Sequence, residues 1–143
     1  MTNRAKAILV TVICVCVLAG CGGGTVNQAV CDYGGSEIYT EEERKAAAEA
    51  ILKEFRTWDG CELHSLTYAS DRECTPENVR WLNELATANR MESNFTQCIL
   101  FKSDFHSPKK GGGGWNDDFE YTAWQWWLAR AENGEWKLMT WGY

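Results

Sequence analysis

No segment of this chain concentrates positive charge. It carries 14 Lys and Arg against 20 Asp and Glu, a formal charge of −6, and no basic stripe runs along any predicted element. An acidic domain repels phosphate backbones, so nucleic acid is not a partner to expect. Close cysteine pairs of the Cys-x-x-Cys kind are also missing, which removes the usual zinc pattern, and no metal or other cofactor is expected. There is no Gly-x-Ser-x-Gly nucleophile turn and no Cys–His pair in a recognisable local motif. The four glycines of Gly111–Gly114 are followed by Trp115 and a further strand rather than by Lys-Ser/Thr and a helix, so they do not form a phosphate-binding loop. No apolar run reaches the ~20 residues that a comfortable membrane span needs.

What is present starts with an address. Arg4 and Lys6 precede an apolar run from Ala7 to Leu18, followed by small residues. That order of basic, apolar and small segments is the pattern of a secretory signal. The run ends in Leu18-Ala19-Gly20-Cys21, which looks like the lipobox of bacterial lipoproteins, so residues 1–20 are expected to be cleaved and Cys21 to carry lipid. Each buried methylene contributes ~0.8 kcal/mol, so two or three acyl chains hold a protein on a membrane where one would not. The expected location is the cell membrane, facing outside the cytoplasm. Loss of Arg4 and Lys6 leaves a mature charge of about −8. The glycines and polar residues from Gly22 to Gln28 read as a flexible tether, giving a lipidated and tethering segment over 21–38 and a folded domain over 39–143. Cys31, Cys61, Cys74 and Cys98 remain in that extracytoplasmic part, enough for two disulfides. Cys61 and Cys74 bracket a predicted strand, so Cys98 pairs more easily with either of them than they do with each other.

Thr40 followed by Glu41-Glu42-Glu43 predicts a helix start with a capping box, and Ala47, Ile51 and Phe55 follow as its apolar stripe. The acidic run is capping chemistry, matched to the positive end of the helix dipole. Asp59-Gly60 predicts the stop near Trp58. Cys61 to Ala69 reads as a strand and Asp71 to Cys74 as a turn. Thr75-Pro76 opens a second helix, with Val79, Leu82, Leu85 and Ala86 on its apolar face and an end near Asn89. Phe95 to Phe105 is a strand with Phe95, Ile99, Phe101 and Phe105 on one side. A mobile, solvated loop is predicted over Ser107 to Asp118.

The last stretch is dense in tryptophan: of 8 in the chain, Trp115, Trp124, Trp126, Trp127, Trp136 and Trp141 all lie there. Asn133-Gly134 predicts a two-residue type I′ turn joining two strands. Its register places Trp124, Trp126, Leu128, Met139, Trp141 and Tyr143 on one face, with Trp127, Ala129, Ala131, Trp136, Leu138 and Thr140 on the other. Both faces are apolar.

Two helices and an antiparallel meander ending in Gly134-Glu135-Trp136-Lys137-Leu138-Met139-Thr140-Trp141-Gly142-Tyr143 resemble the NTF2-like (cystatin-like) α+β superfamily. With the lipobox and Thr122-Ala123-Trp124-Gln125-Trp126-Trp127-Leu128-Ala129-Arg130, the chain is similar to small uncharacterised lipoproteins of Gram-positive gut bacteria that carry such a domain. The resemblance implies two helices in the hollow of a curved antiparallel sheet of about four strands, which can enclose a cone-shaped pocket. It covers folds that catalyse and folds that only bind. The expected function is non-catalytic binding of a small ligand or protein partner, with Trp124, Trp126, Trp141 and Tyr143 as the ligand-facing residues and the membrane as a partner through Cys21. The alternative is an isomerase- or dehydratase-type enzyme, for which Asp104, His106, Tyr68 and His64 are the candidate acid and base.

Overall fold

The computed structural model describes residues 23–143. The leader and the lipobox with Cys21 lie outside the described residues. The chain runs β1 (Val30–Asp32), α1 (Glu41–Phe55), β2 (Glu62–Tyr68), a 3-10 turn (Asp71–Glu73), α2 (Pro76–Ala88), β3 (Gln97–His106), β4 (Glu120–Arg130) and β5 (Lys137–Gly142). The strands form one sheet in chain order; β1 is parallel to β2 and the rest are antiparallel. This is an α+β fold with two helices on a five-stranded, mostly antiparallel open sheet. No helix among the described residues is long and apolar enough to cross a membrane.

Both helix starts follow their caps. Thr40 Oγ1 accepts the Glu43 N–H at 3.2 Å and Glu43 Oε2 accepts the Thr40 N–H at 2.8 Å. Thr75 Oγ1 accepts the Asn78 N–H at 3.2 Å, with Pro76 in the first turn where its missing donor costs nothing. Ala47, Ile51 and Phe55 of α1 are fully buried and pack with Ile99, Phe101, Phe105, Trp126 and Leu128. Leu82 and Ala86 of α2 pack instead with Phe95, Cys98 and Ala129. Neighbouring residues of a strand point to opposite faces, so Cys98 against Ile99, and Ala129 against Leu128, put the helices on opposite sides of the sheet. The expectation that both would share one hollow is corrected on this point. The α1 side is filled by aromatic and aliphatic side chains.

Two further corrections concern what joins the sheet and how it is registered. From Gly23 onward the segment expected as a tether is part of the domain. The Gly24 N–H donates to Arg56 O at 3.0 Å, Thr25 bridges to Glu62, and Val30–Asp32 adds a fifth strand to the four expected. A Cβ on Gly24 would lie 2.0 Å from Phe55 O, so only glycine allows that approach. The folded unit therefore begins well before Tyr39.

The turn between β4 and β5 is not type I′. The Gly134 N–H donates to Ala131 O at 2.9 Å, and of the two central residues only Asn133 (φ 55°) has positive φ, where type I′ requires both. Trp126 pairs with Trp141 and Trp127 with Thr140 as expected, but Leu128 then pairs with Leu138 and Ala129 with Lys137. Met139 is the extra residue of this bulge. A one-residue slip reverses faces, so Trp136 and Leu138 turn to the α1 side and Met139 to the α2 side.

Candidate functional site

Trp58 lies just past the last turn of α1, held by its N–H to Phe55 O at 2.9 Å and by its indole Nε1 to Glu54 Oε1 at 3.2 Å. It stacks on Trp126 with 4.8 Å between ring centroids. Trp115 approaches Trp58 to 4.7 Å and Trp141 approaches it to 5.9 Å. Trp58, Trp115 and Trp141, with Thr57, Asp59 and Lys110, line an open groove of about 580 Å³. The groove therefore has aromatic walls, one carboxylate, one ammonium and one hydroxyl. That combination suits a molecule with an apolar ring face and polar edges.

The glycine loop that carries Trp115 is tied down by its own hydrogen bonds. Ser107 Oγ donates to Asn116 O at 2.6 Å, the Asn116 N–H donates to the Tyr121 hydroxyl at 3.0 Å, and the Asp118 N–H donates to Pro108 O at 2.8 Å. At Gly111 a Cβ would meet Trp115 O at 2.3 Å, so the loop can close only over glycine there. Trp115 packs edge-on against Phe105, Tyr121 and Trp124.

The four residues expected to face a ligand divide. Trp126 is fully buried and its Nε1 donates to Ser103 Oγ at 2.8 Å, so it lies beneath the groove, packed under Trp58 and closed off from solvent. Trp124 is half-buried, and its Nε1 is buried without a hydrogen-bond partner. Trp141 is 42% exposed and lines the groove, whereas Tyr143 is 76% exposed and packs on Trp124 at 5.1 Å. Trp58 was missed as a site residue: it lies in the stretch expected to end a helix, far in sequence from the other tryptophans.

The four acid–base candidates also divide. The structure brings His64 and His106 together, with ring centroids 6.4 Å apart. Glu120, which the sequence did not single out, bridges them: Oε1 lies 2.8 Å from His64 Nδ1 and Oε2 lies 2.9 Å from His106 Nδ1. The sheet register aligns Glu62, His106 and Glu120 across three strands. Asp118 meets His106 Nε2 at 2.9 Å. Hydrogen bonds accepted by Asp118 and then Glu120 hold the His106 pKa above its ordinary value. Asp104 is not part of this group. Its Oδ1 accepts the Ala123 N–H at 2.8 Å and secures a backbone position with φ 54°. Tyr68 lies elsewhere, donating to Asp71 Oδ1 at 2.7 Å, and burial followed by that hydrogen bond raises its pKa. Among the described residues no group of three or more His, Cys, Asp and Glu is placed to hold a metal ion. No protein family, curated protein sequence or solved structure matches this chain.

Proposed function

We propose that the chain is a lipoprotein, anchored through Cys21 and facing outside the cytoplasm, whose domain binds a saccharide in the groove of Trp58, Trp115 and Trp141. The observation that carries the reading is a groove lined by three indoles, Trp141 the most exposed of them, beside Asp59, Lys110 and Thr57. A sugar ring presents an apolar C–H face to an indole and hydroxyls at its edge, and the groove offers a partner for each. The lipobox supports the anchor, as does the secretory pattern before it. The NTF2-like assignment belongs to the same reading. A long N-terminal helix over an antiparallel meander supports it, and α2 on the far face together with the parallel β1 is a departure from it.

An NTF2-like enzyme would need its acid and base inside a cavity that excludes water. His64 and His106 have side chains 43% and 37% exposed, and the α1 side of the sheet is packed with side chains. Binding without catalysis is the reading this arrangement favours.

The test uses the full chain in detergent, titrated with chitotriose, cellotriose and maltotriose, with a tripeptide and decanoate as other ligand classes. Tryptophan fluorescence and thermal melting are read together, since a ligand that binds only the folded state raises the melting temperature. A response to one trisaccharide that is lost in Trp141→Ala supports the reading. A response to decanoate or the tripeptide alone would overturn the ligand class. Metabolic labelling with an alkyne palmitate, lost in Cys21→Ala, tests the anchor separately.

A further inference from the structure

Four cysteines lie among the described residues, and all are thiols in the structure. The sheet register decides which of them can meet. Cys61 adjoins Glu62, which pairs with His106, while Cys98 lies eight residues back along β3, about 26 Å away. A disulfide needs Cα atoms within about 7 Å, so this pairing is closed. Cys31 pairs with Leu66 in the sheet, five residues from Cys61 and about 16 Å from it. Cys74 and Cys98 differ from these. They line one cavity of about 530 Å³ together with Tyr39, Thr75 and Gln97. Cys98 Sγ lies 3.7 Å from the carbonyl oxygen of Glu73, the residue preceding Cys74. The Tyr39 hydroxyl donates to Cys98 O at 2.8 Å, and Cys74 Sγ lies 3.7 Å from the Tyr68 hydroxyl.

We propose that Cys74 and Cys98 are an oxidation site that closes to an intramolecular disulfide, stapling the start of α2 to β3. The staple would act where packing is thinnest, since α2 contributes only Leu82 and Ala86 as buried side chains. The oxidant is a disulfide, either that of a thiol–disulfide oxidoreductase or glutathione disulfide. Cys74 is the more accessible thiol. As thiolate it attacks one sulfur of glutathione disulfide, forming a mixed disulfide and releasing one glutathione. Cys98 then gives its proton to water and attacks Cys74 Sγ, expelling the second glutathione. Two protein thiols are oxidised and one glutathione disulfide is reduced to two glutathiones. Burial holds both thiol pKa values up, with Cys98 at about 12, so the closure is slow near neutral pH and faster in base. This inference is independent of the groove and its ligand.

The test exposes the reduced full chain to glutathione disulfide, blocks remaining thiols with iodoacetamide and digests it with trypsin without reductant. The expected product joins peptides 73–80 and 91–102, two hydrogen masses below their sum. Oxidation is expected to raise the melting temperature by about 10 °C, as a loop of this length predicts. The rise should persist in Cys31→Ser and vanish in Cys74→Ser. Alkylation of both Cys74 and Cys98 after prolonged oxidation would overturn the proposal. A link from either of them to any other cysteine, or to a second chain, would do the same.

Discussion

Arg130 joins the sheet to the cap of α1 through Glu43. Its Nη2 meets Glu43 Oε1 at 2.5 Å, while the other Glu43 oxygen closes the capping box on Thr40. The Arg130 side chain is only 8% exposed, and its guanidinium lies 4.3 Å over the Trp136 ring. One carboxylate thus serves the helix start and neutralises a buried cation. Replacing Arg130 by Met keeps the stem and removes the charge. The expected cost is about 2 kcal/mol, read as a lower urea midpoint with an unchanged slope.

Glu43 also sets an acid limit. The Arg130 hydrogen bond, then the Thr40 N–H, holds its pKa below the ordinary carboxylate value. A depressed folded pKa gives stability that is present above the unfolded value of about 4.3 and is lost as pH falls through the folded one. The decline in melting temperature below pH 4.3 should be shallower in Glu43→Gln, which starts from a lower plateau. Parallel acid profiles for the two proteins would remove Glu43 from the account.

His106 works in the opposite direction. Its folded pKa is raised, so its contribution is complete below the unfolded value of about 6.5 and is lost as pH rises through the folded pKa. Thermal melts from pH 6 to 9 should show a small downward step that His106→Gln abolishes. Asp118 closes the loop that carries Trp115, so proton exchange at the Trp115 indole should quicken across the same interval.

Trp126 and Trp141 separate support from contact. Trp126→Ala should cost about 3–5 kcal/mol, because it empties a fully buried site and leaves Ser103 without its donor. Trp141→Ala removes a half-exposed wall that also packs on Trp58 and Trp126, and should cost about 1–2 kcal/mol, clearly less than Trp126→Ala, while abolishing the ligand response. Equal losses in both variants would mean that Trp141 serves the fold and not the site.

Glycine substitutions test where the domain begins. Gly24→Val drives a side chain into Phe55 O and should destabilise strongly, whereas Gly35→Ala meets nothing within 4 Å and should be close to neutral. Chemical denaturation of both variants distinguishes a packed segment from a free tether.

The helices were legible in the sequence because their signals are local. Thr40 with Glu43, and Thr75 with Pro76, satisfy the orphan donors of a first turn wherever the helix later packs. The α1 stripe of Ala47, Ile51 and Phe55 is legible for the same reason. The faces of β5 were not. Asn133-Gly134 reads as a two-residue turn, but where a bulge falls depends on how Trp136, Leu138 and Met139 fill the two sides of the sheet. β1 was hidden because a three-residue edge strand has too few side chains for alternation to show. The groove was half legible: Trp141 follows from the sequence, while Trp58 enters only through the folding of α1 over the sheet. Glu120 joined His64 and His106 through cross-strand register, which no spacing along the chain announces.

Gly24 is hydrogen-bonded to Arg56, the residue that leads into Thr57 and Trp58 of the groove. Three peptide steps separate it from Cys21, so a lipid there would be on a leash of about 11 Å at most. The binding face would then patrol the headgroup layer and not the open space beyond it. What it meets would be governed by lateral diffusion, and ligands attached to the membrane or to the innermost wall would reach it ahead of those dissolved outside.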